Sequence, residues 1–130
     1  MIEFKVLIPV LSKQENSDEF IKKATLKAKE IIVLLIIDTQ AMSGSFGFAS
    51  GEMLSGRKIM DEVCQKIGKK RKNYEDLVEW GTTINKIKQI AIIRKVNKIV
   101  LLKQNNEYFK KLLKELKKEK DYELELVELK

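Results

Sequence analysis

The sequence predicts an α/β fold in three layers, α/β/α: a five-stranded parallel sheet, doubly wound, with strand order 3-2-1-4-5. Three observations carry this. Short apolar runs closed by polar turns alternate with helical stretches along the whole chain. The first two runs, Lys5–Val10 and Ile31–Ile37, are apolar on both faces, as in a sheet covered by helices on both sides. They enclose one amphipathic stretch, so strand, helix and strand follow within forty residues.

The first strand, Lys5-Val6-Leu7-Ile8-Pro9-Val10, tolerates Pro9 because a missing N–H near a strand end can face a loop. The polar run Ser12–Ser17 leads into a helix that starts at Ser17 or Asp18 and runs to about Glu30. Ser17 is its N-cap, and Asp18 and Glu19 suit the positive end of the helix dipole. Phe20, Ile21, Ala24 and Ala28 make its inner face, and lysines fill the outer one. The second strand ends at Asp38-Thr39. The next seventeen residues, Gln40–Gly56, hold four glycines and four serines and are expected to form a long loop. Met42, Phe46, Phe48 and Met53 within it predict that it packs on something.

The second helix is expected from about Ser55 to Lys69, with Ile59, Met60, Val63, Cys64 and Ile67 inward. Strand three is Leu77–Trp80, closed by Gly81. A helix from Thr82 or Thr83 to about Lys95 puts Ile84, Ile87, Ile90 and Ala91 inward. Strand four is Ile99–Leu102, followed by Lys103-Gln104-Asn105-Asn106. The helix Asn106–Lys118 carries Phe109, Leu112, Leu113 and Leu116 as one stripe. The last strand, Tyr122–Leu129, alternates apolar and acidic residues, which marks a half-exposed sheet edge.

Composition narrows the function classes. The 130 residues are 44% hydrophobic and 35% charged, a globular balance that reads as one domain, 1–130. The longest apolar run, seven residues, is far short of the roughly 20 that span a bilayer, and no signal peptide is evident, so a cytoplasmic protein without a membrane partner is expected. Histidine is absent and Cys64 is the single cysteine, which removes zinc and iron–sulfur chemistry, and no metal site is expected. Cys64, on an inward helical face with no base to activate it, is expected to be an inert buried thiol. No carboxylate pair has the spacing of an acid–base dyad, so no catalytic residue is assigned. Gly51-Glu-Met-Leu-Ser-Gly56-Arg57-Lys58 imitates the glycine spacing of a phosphate loop. It puts Arg57 in the lysine position and follows the wrong strand, so it is not read as one.

Charge is uneven. Residues 1–65 hold 8 basic and 9 acidic groups; residues 66–130 hold 18 and 10. Lys66–Lys72 and the Lys110–Lys120 helix make the excess. A polyanion or nucleic acid is therefore one functional alternative, although few aromatics are interleaved to stack bases and a nucleic-acid partner is not the first expectation.

Taken together, Lys5–Val10, Leu34–Asp38, Val78-Glu79-Trp80-Gly81 and Ile87–Leu102 resemble, in order and spacing, the universal stress protein family, with its Rossmann-like, adenine nucleotide alpha-hydrolase-like fold. The first strand is similar to that family's K-I-L-V-P-V. The resemblance spans nearly the whole chain. It implies a small homodimer paired through the last strand, Tyr122–Leu129, in a stress-response role, and in nucleotide-binding members a site for ATP or AMP. Two departures stand out. Leu11 occupies the position where the family usually has aspartate. No glycine follows Gly81, so the family's glycine-rich loop after strand four is replaced by Lys103–Asn106. The expected function is thus a non-catalytic protein of this kind, with adenine-nucleotide binding on a rebuilt loop as the alternative. Doubly wound sheets bind ligands beyond the carboxyl ends of their strands. Those ends give the candidate site residues Leu11, Lys13, Asp38, Gly81, Lys103, Gln104, Asn105 and Asn106.

Overall fold

The computed structural model describes residues 4–38 and 48–129. The elements follow in the order β1 (Lys5–Val10), α1 (Asp18–Thr25), β2 (Glu30–Asp38), β3 (Phe48–Ala49), α2 (Met53–Lys69), β4 (Asn73–Trp80), α3 (Thr83–Ile93), β5 (Lys98–Leu102), α4 (Glu107–Leu116) and β6 (Glu123–Val127). All pairings are parallel, and the five longer strands lie in the order β4-β2-β1-β5-β6. That is the expected 3-2-1-4-5 arrangement with one short strand added, since β3 pairs with β2 at Ile37 and Asp38.

β2, between β1 and β4, is the longest strand; eight of its nine residues are buried, and both of its faces meet a helical layer. Ile31, Val33, Leu35 and Ile37 face one layer with Phe20 and Ile21 of α1 and Met60, Val63 and Ile67 of α2. Ile32, Leu34 and Ile36 face the other with Ile84 and Ile87 of α3 and Phe109, Leu112 and Leu116 of α4. The alternation of a strand sends successive side chains to opposite faces, so an unbroken apolar run is what a two-sided burial requires.

Local signals set the helix starts. The Ser17 hydroxyl accepts the Phe20 N–H at 3.1 Å, and Asn106 Oδ1 accepts the Phe109 N–H at 2.7 Å. Tyr122 is buried beneath α4, and its hydroxyl donates to the Leu116 carbonyl at 2.9 Å, tying the helix end to the approach of β6.

Of the stretch expected as one long loop from Gln40 to Gly56, the described part, 48–56, is regular structure. Residues 39–47, which include Met42 and Phe46, lie outside the described residues. From Phe48 onward the chain makes β3, a 3-10 turn over Ser50–Glu52 and the first turn of α2. Phe48 is buried in the core, and Glu52 Oε1 accepts the Ala49 N–H at 3.1 Å. Gly56 lies inside α2, where a Cβ would stand 2.8 Å from Leu35 Cδ1 and 3.1 Å from Phe48 Cγ. Close approach of α2 to β2, not anion binding, explains that glycine.

β1 pairs with β2 from Lys5 to Val10 but with β5 only at Val6 and Leu7. The N–H and C=O of Lys5 both bond to Asn97, so alternate residues Leu7 and Pro9 also face β5. Pro9 has no N–H to extend that ladder. The sheet therefore loses its backbone pairing between β1 and β5 toward their carboxyl ends.

Candidate functional site

The order in which strands are added to the sheet reverses between β1 and β5, so the crevice of a doubly wound sheet lies beyond their carboxyl ends, between the connections 11–17 and 103–106. The two connections start side by side.

The 11–17 connection folds around Glu15, whose side chain is 0% exposed. Its Oε1 accepts both the backbone N–H and the hydroxyl of Ser12 at 2.8 Å. Its Oε2 is buried and has no partner. Burial raises the carboxyl pKa to about 7, against the lowering effect of the Ser12 bonds and of the Leu11 and Glu15 backbone N–H groups beside it. The connection is fastened to α2 from outside. Asn16 Nδ2 donates to Glu62 Oε2 at 2.9 Å, and Lys66 Nζ donates to the Asn16 carbonyl at 2.6 Å and pairs with Asp18 at 2.8 Å.

The expected residues divide between crevice and scaffold. Leu11 is buried in the apolar cluster under α3 and α4 and belongs to the core. Lys13 is exposed on the connection. Asp38 is 5% exposed, and its Oδ2 accepts the Thr83 N–H and hydroxyl, both at 3.0 Å. Thr82, the N-cap of α3, makes no side-chain cap bond, so Asp38 supplies the acceptor from another strand. Tyr108, in the first turn of α4, hydrogen-bonds Thr83. Burial and the nearby Asp38 charge raise its pKa. Gly81 closes β4 with φ +150° and donates its N–H to the Ile37 carbonyl at 3.1 Å.

In the 103–106 connection, Lys103 Nζ pairs with Glu128 at 2.5 Å. The register Leu102–Val127 makes those two residues neighbours, so the lysine turns along β6. Asn105 is exposed, and Asn106 spends its Oδ1 on the α4 cap. Gln104 Oε1 accepts from Asn106 Nδ2 at 3.4 Å, while Gln104 Nε2 is buried without a partner. Glu15 Oε2 and Gln104 Nε2 are the two buried side-chain N/O atoms without a partner among the described residues. One is an acceptor when ionised, the other a donor, and they stand in the two connections that flank the crevice.

Chemically this arrangement offers hydrogen bonds and no assembled nucleophile. Cys64 lies buried on α2, where burial and the charges of Asp76 and Asp61 push its thiol up to about 12. Among the described residues no cluster of three metal-ligating side chains occurs, and no helix is long and apolar enough to cross a membrane. The sequence reading missed Glu15 and Tyr108. Neither has a local signal, since Glu15 sits in a run of polar residues and Tyr108 in an amphipathic helix.

No family model matches the chain. No curated protein matches it either. Solved structures do. A universal stress protein in complex with cAMP aligns over 100% of both chains with TM-score 0.66 and 11% identity. The hypothetical protein PH0823 aligns over 96% of this chain and 95% of its own, with TM-score 0.65 and 20% identity. The universal stress protein UspA from Lactobacillus plantarum aligns over 98% and 99%, with TM-score 0.58 and 13% identity. The chain has the universal stress protein fold.

Proposed function

We propose that this chain, built on the universal stress protein fold, is a non-catalytic binding protein that takes an adenine nucleotide in the crevice beyond β1 and β5 and acts as a homodimer joined along β6. The observation that carries the ligand reading is the pair of unsatisfied atoms, Glu15 Oε2 and Gln104 Nε2, one in each flanking connection. A buried polar atom without a partner costs free energy until something bonds it. Adenine presents an amino donor beside ring-nitrogen acceptors, which is the complement of a carboxylate and an amide N–H. The cAMP complex of a structural neighbour supports the same class of ligand. A backbone cradle for a phosphate chain favours glycine, and none follows Gly81. Recognition through the base therefore favours AMP over ATP.

The partner reading rests on the β6 edge. Leu126 is 40% and Leu26 68% exposed, and both line a groove of about 600 Å³ that also holds Val127 and Leu129. Glutamates on an edge strand ordinarily discourage pairing. Here Glu125 is paired with Lys98 at 2.7 Å and Glu128 with Lys103, so much of that repulsion is cancelled.

Calorimetric titration with AMP, then with ATP and Mg²⁺, tests the ligand. Micromolar AMP binding that Gln104→Ala weakens at least tenfold is the expected result. No heat up to millimolar AMP overturns the reading.

A further inference from the structure

Because every strand is parallel and the five longer ones alternate with helices, the connections that return the chain from helix to strand all lie at the amino end of the sheet, opposite the crevice. These are 26–29, 70–72, 94–97 and 117–122. Together they hold ten lysines and arginines against Glu119 and Asp121. The described connections at the carboxyl end, 11–17, 50–52, 81–82 and 103–106, hold Lys13 and Lys103 against Glu15 and Glu52. The excess charge of the chain is thus gathered on one pole, where Lys27, Lys29, Lys70, Arg71, Lys95 and Lys117 are exposed.

Helix dipoles account for part of this. Four helix carboxyl ends point to the pole, each worth about half a negative charge, which is about two charges against an excess several times larger. A second feature shows that the charge is kept at a cost. Among the described residues, the two non-glycine positions with positive φ are Arg71 at 59° and Lys95 at 55°. Both end helices. Lys95 N–H bonds the Ile92 carbonyl and Val96 N–H the Ala91 carbonyl, a left-handed helix stop in which glycine is the low-strain residue. The chain puts arginine and lysine where glycine would relieve the backbone, and does so twice on the same pole.

We infer that this pole binds the phosphate backbone of a nucleic-acid duplex, without sequence preference. The cations come from four separate connections and from both helical layers, which spreads them across a width comparable to a duplex, about five strands at 4.8 Å. Tyr74 is the one exposed aromatic near these connections among the described residues, so backbone contact is favoured over base stacking. A lipid surface is less well matched. Ile92 and Ile93 are the large aliphatics exposed at the α3 end, and Leu26 lines the groove along β6, so no continuous apolar face accompanies the cations.

Anisotropy of a fluorescein-labelled, mixed-sequence DNA duplex, titrated with the full chain at about 50 and about 200 mM salt, tests this. Binding should weaken at least a hundredfold between the two. Arg71→Gly/Lys95→Gly should lower the salt slope by about 2 and the affinity at least tenfold at low salt, while raising Tm. Lost affinity with raised Tm excludes misfolding as the cause. No duplex binding at low salt overturns the inference. So does unchanged affinity in the double variant, or capture by phosphatidylserine-containing vesicles without duplex binding.

Discussion

Asp38 and Thr83 are joined twice: one carboxylate oxygen accepts both the backbone N–H and the hydroxyl of the threonine, each at 3.0 Å. The bond ties the end of β2 to the start of α3 across 45 residues of sequence. Asp38→Ala leaves the buried Thr83 N–H without an acceptor and its hydroxyl with Tyr108 alone, and a loss of about 1–3 kcal/mol in urea denaturation is expected. Asp38→Asn keeps an acceptor and should lose about 1 kcal/mol. Equal losses in the two variants would contradict the capping role.

Glu15 sets a pH dependence of stability. Its folded pKa, about 7, lies above the ordinary 4.5. The folded state therefore holds a proton that the unfolded chain releases, and its contribution is full below about pH 4.5 and lost as pH rises to 7. The size is on the order of 3 kcal/mol. Glu15→Gln keeps a carbonyl for Ser12 and carries no charge, so it should be more stable than the parent at pH 8 and nearly equal at pH 4.5. A parent that gains stability between those pH values as the variant does would refute this.

Gly81 is required by its backbone and not by space. A Cβ would meet Lys86 Cε at 2.9 Å, the movable end of a flexible side chain, but φ +150° remains closed to other residues. Gly81→Ala should cost about 1–3 kcal/mol. The added change Lys86→Ala should not restore it. Recovery in the double variant would show that crowding, not φ, is the cause.

Leu126→Asp places a charge in the groove along the β6 edge. Light scattering after size exclusion should report a dimer for the parent and a monomer for the variant, with circular dichroism unchanged. A monomeric parent at micromolar concentration would remove the proposed dimer.

The scaffold is legible in the sequence because burial on two faces writes itself as unbroken apolar runs. Ile31–Ile37 could be nothing else in a chain whose neighbouring segments are amphipathic. Strand order follows from the doubly wound pattern, and the N-cap Ser17 is local. What escaped is long-range. The burial of Glu15 depends on how the polar run Ser12–Ser17 curls back on itself, and nothing in its composition distinguishes Glu15 from Gln14 or Asn16. Lys103 turns away from the crevice because β6 brings Glu128 beside it, twenty-five residues later. The two-residue strand β3 exists by pairing with the end of β2, so its sequence carries no alternation to detect.

Pro9 gives the sheet a built-in line of weakness. β1 pairs with β2 along six residues and with β5 along two, so the carboxyl half of the β1–β5 boundary carries no paired positions. Local opening is cheapest where the fewest backbone bonds must break. Amide protons there should exchange with deuterated solvent before those between β1 and β2. The molecule would then breathe along the path by which a guest enters the crevice, and replacing one proline would stiffen the doorway without touching its lining.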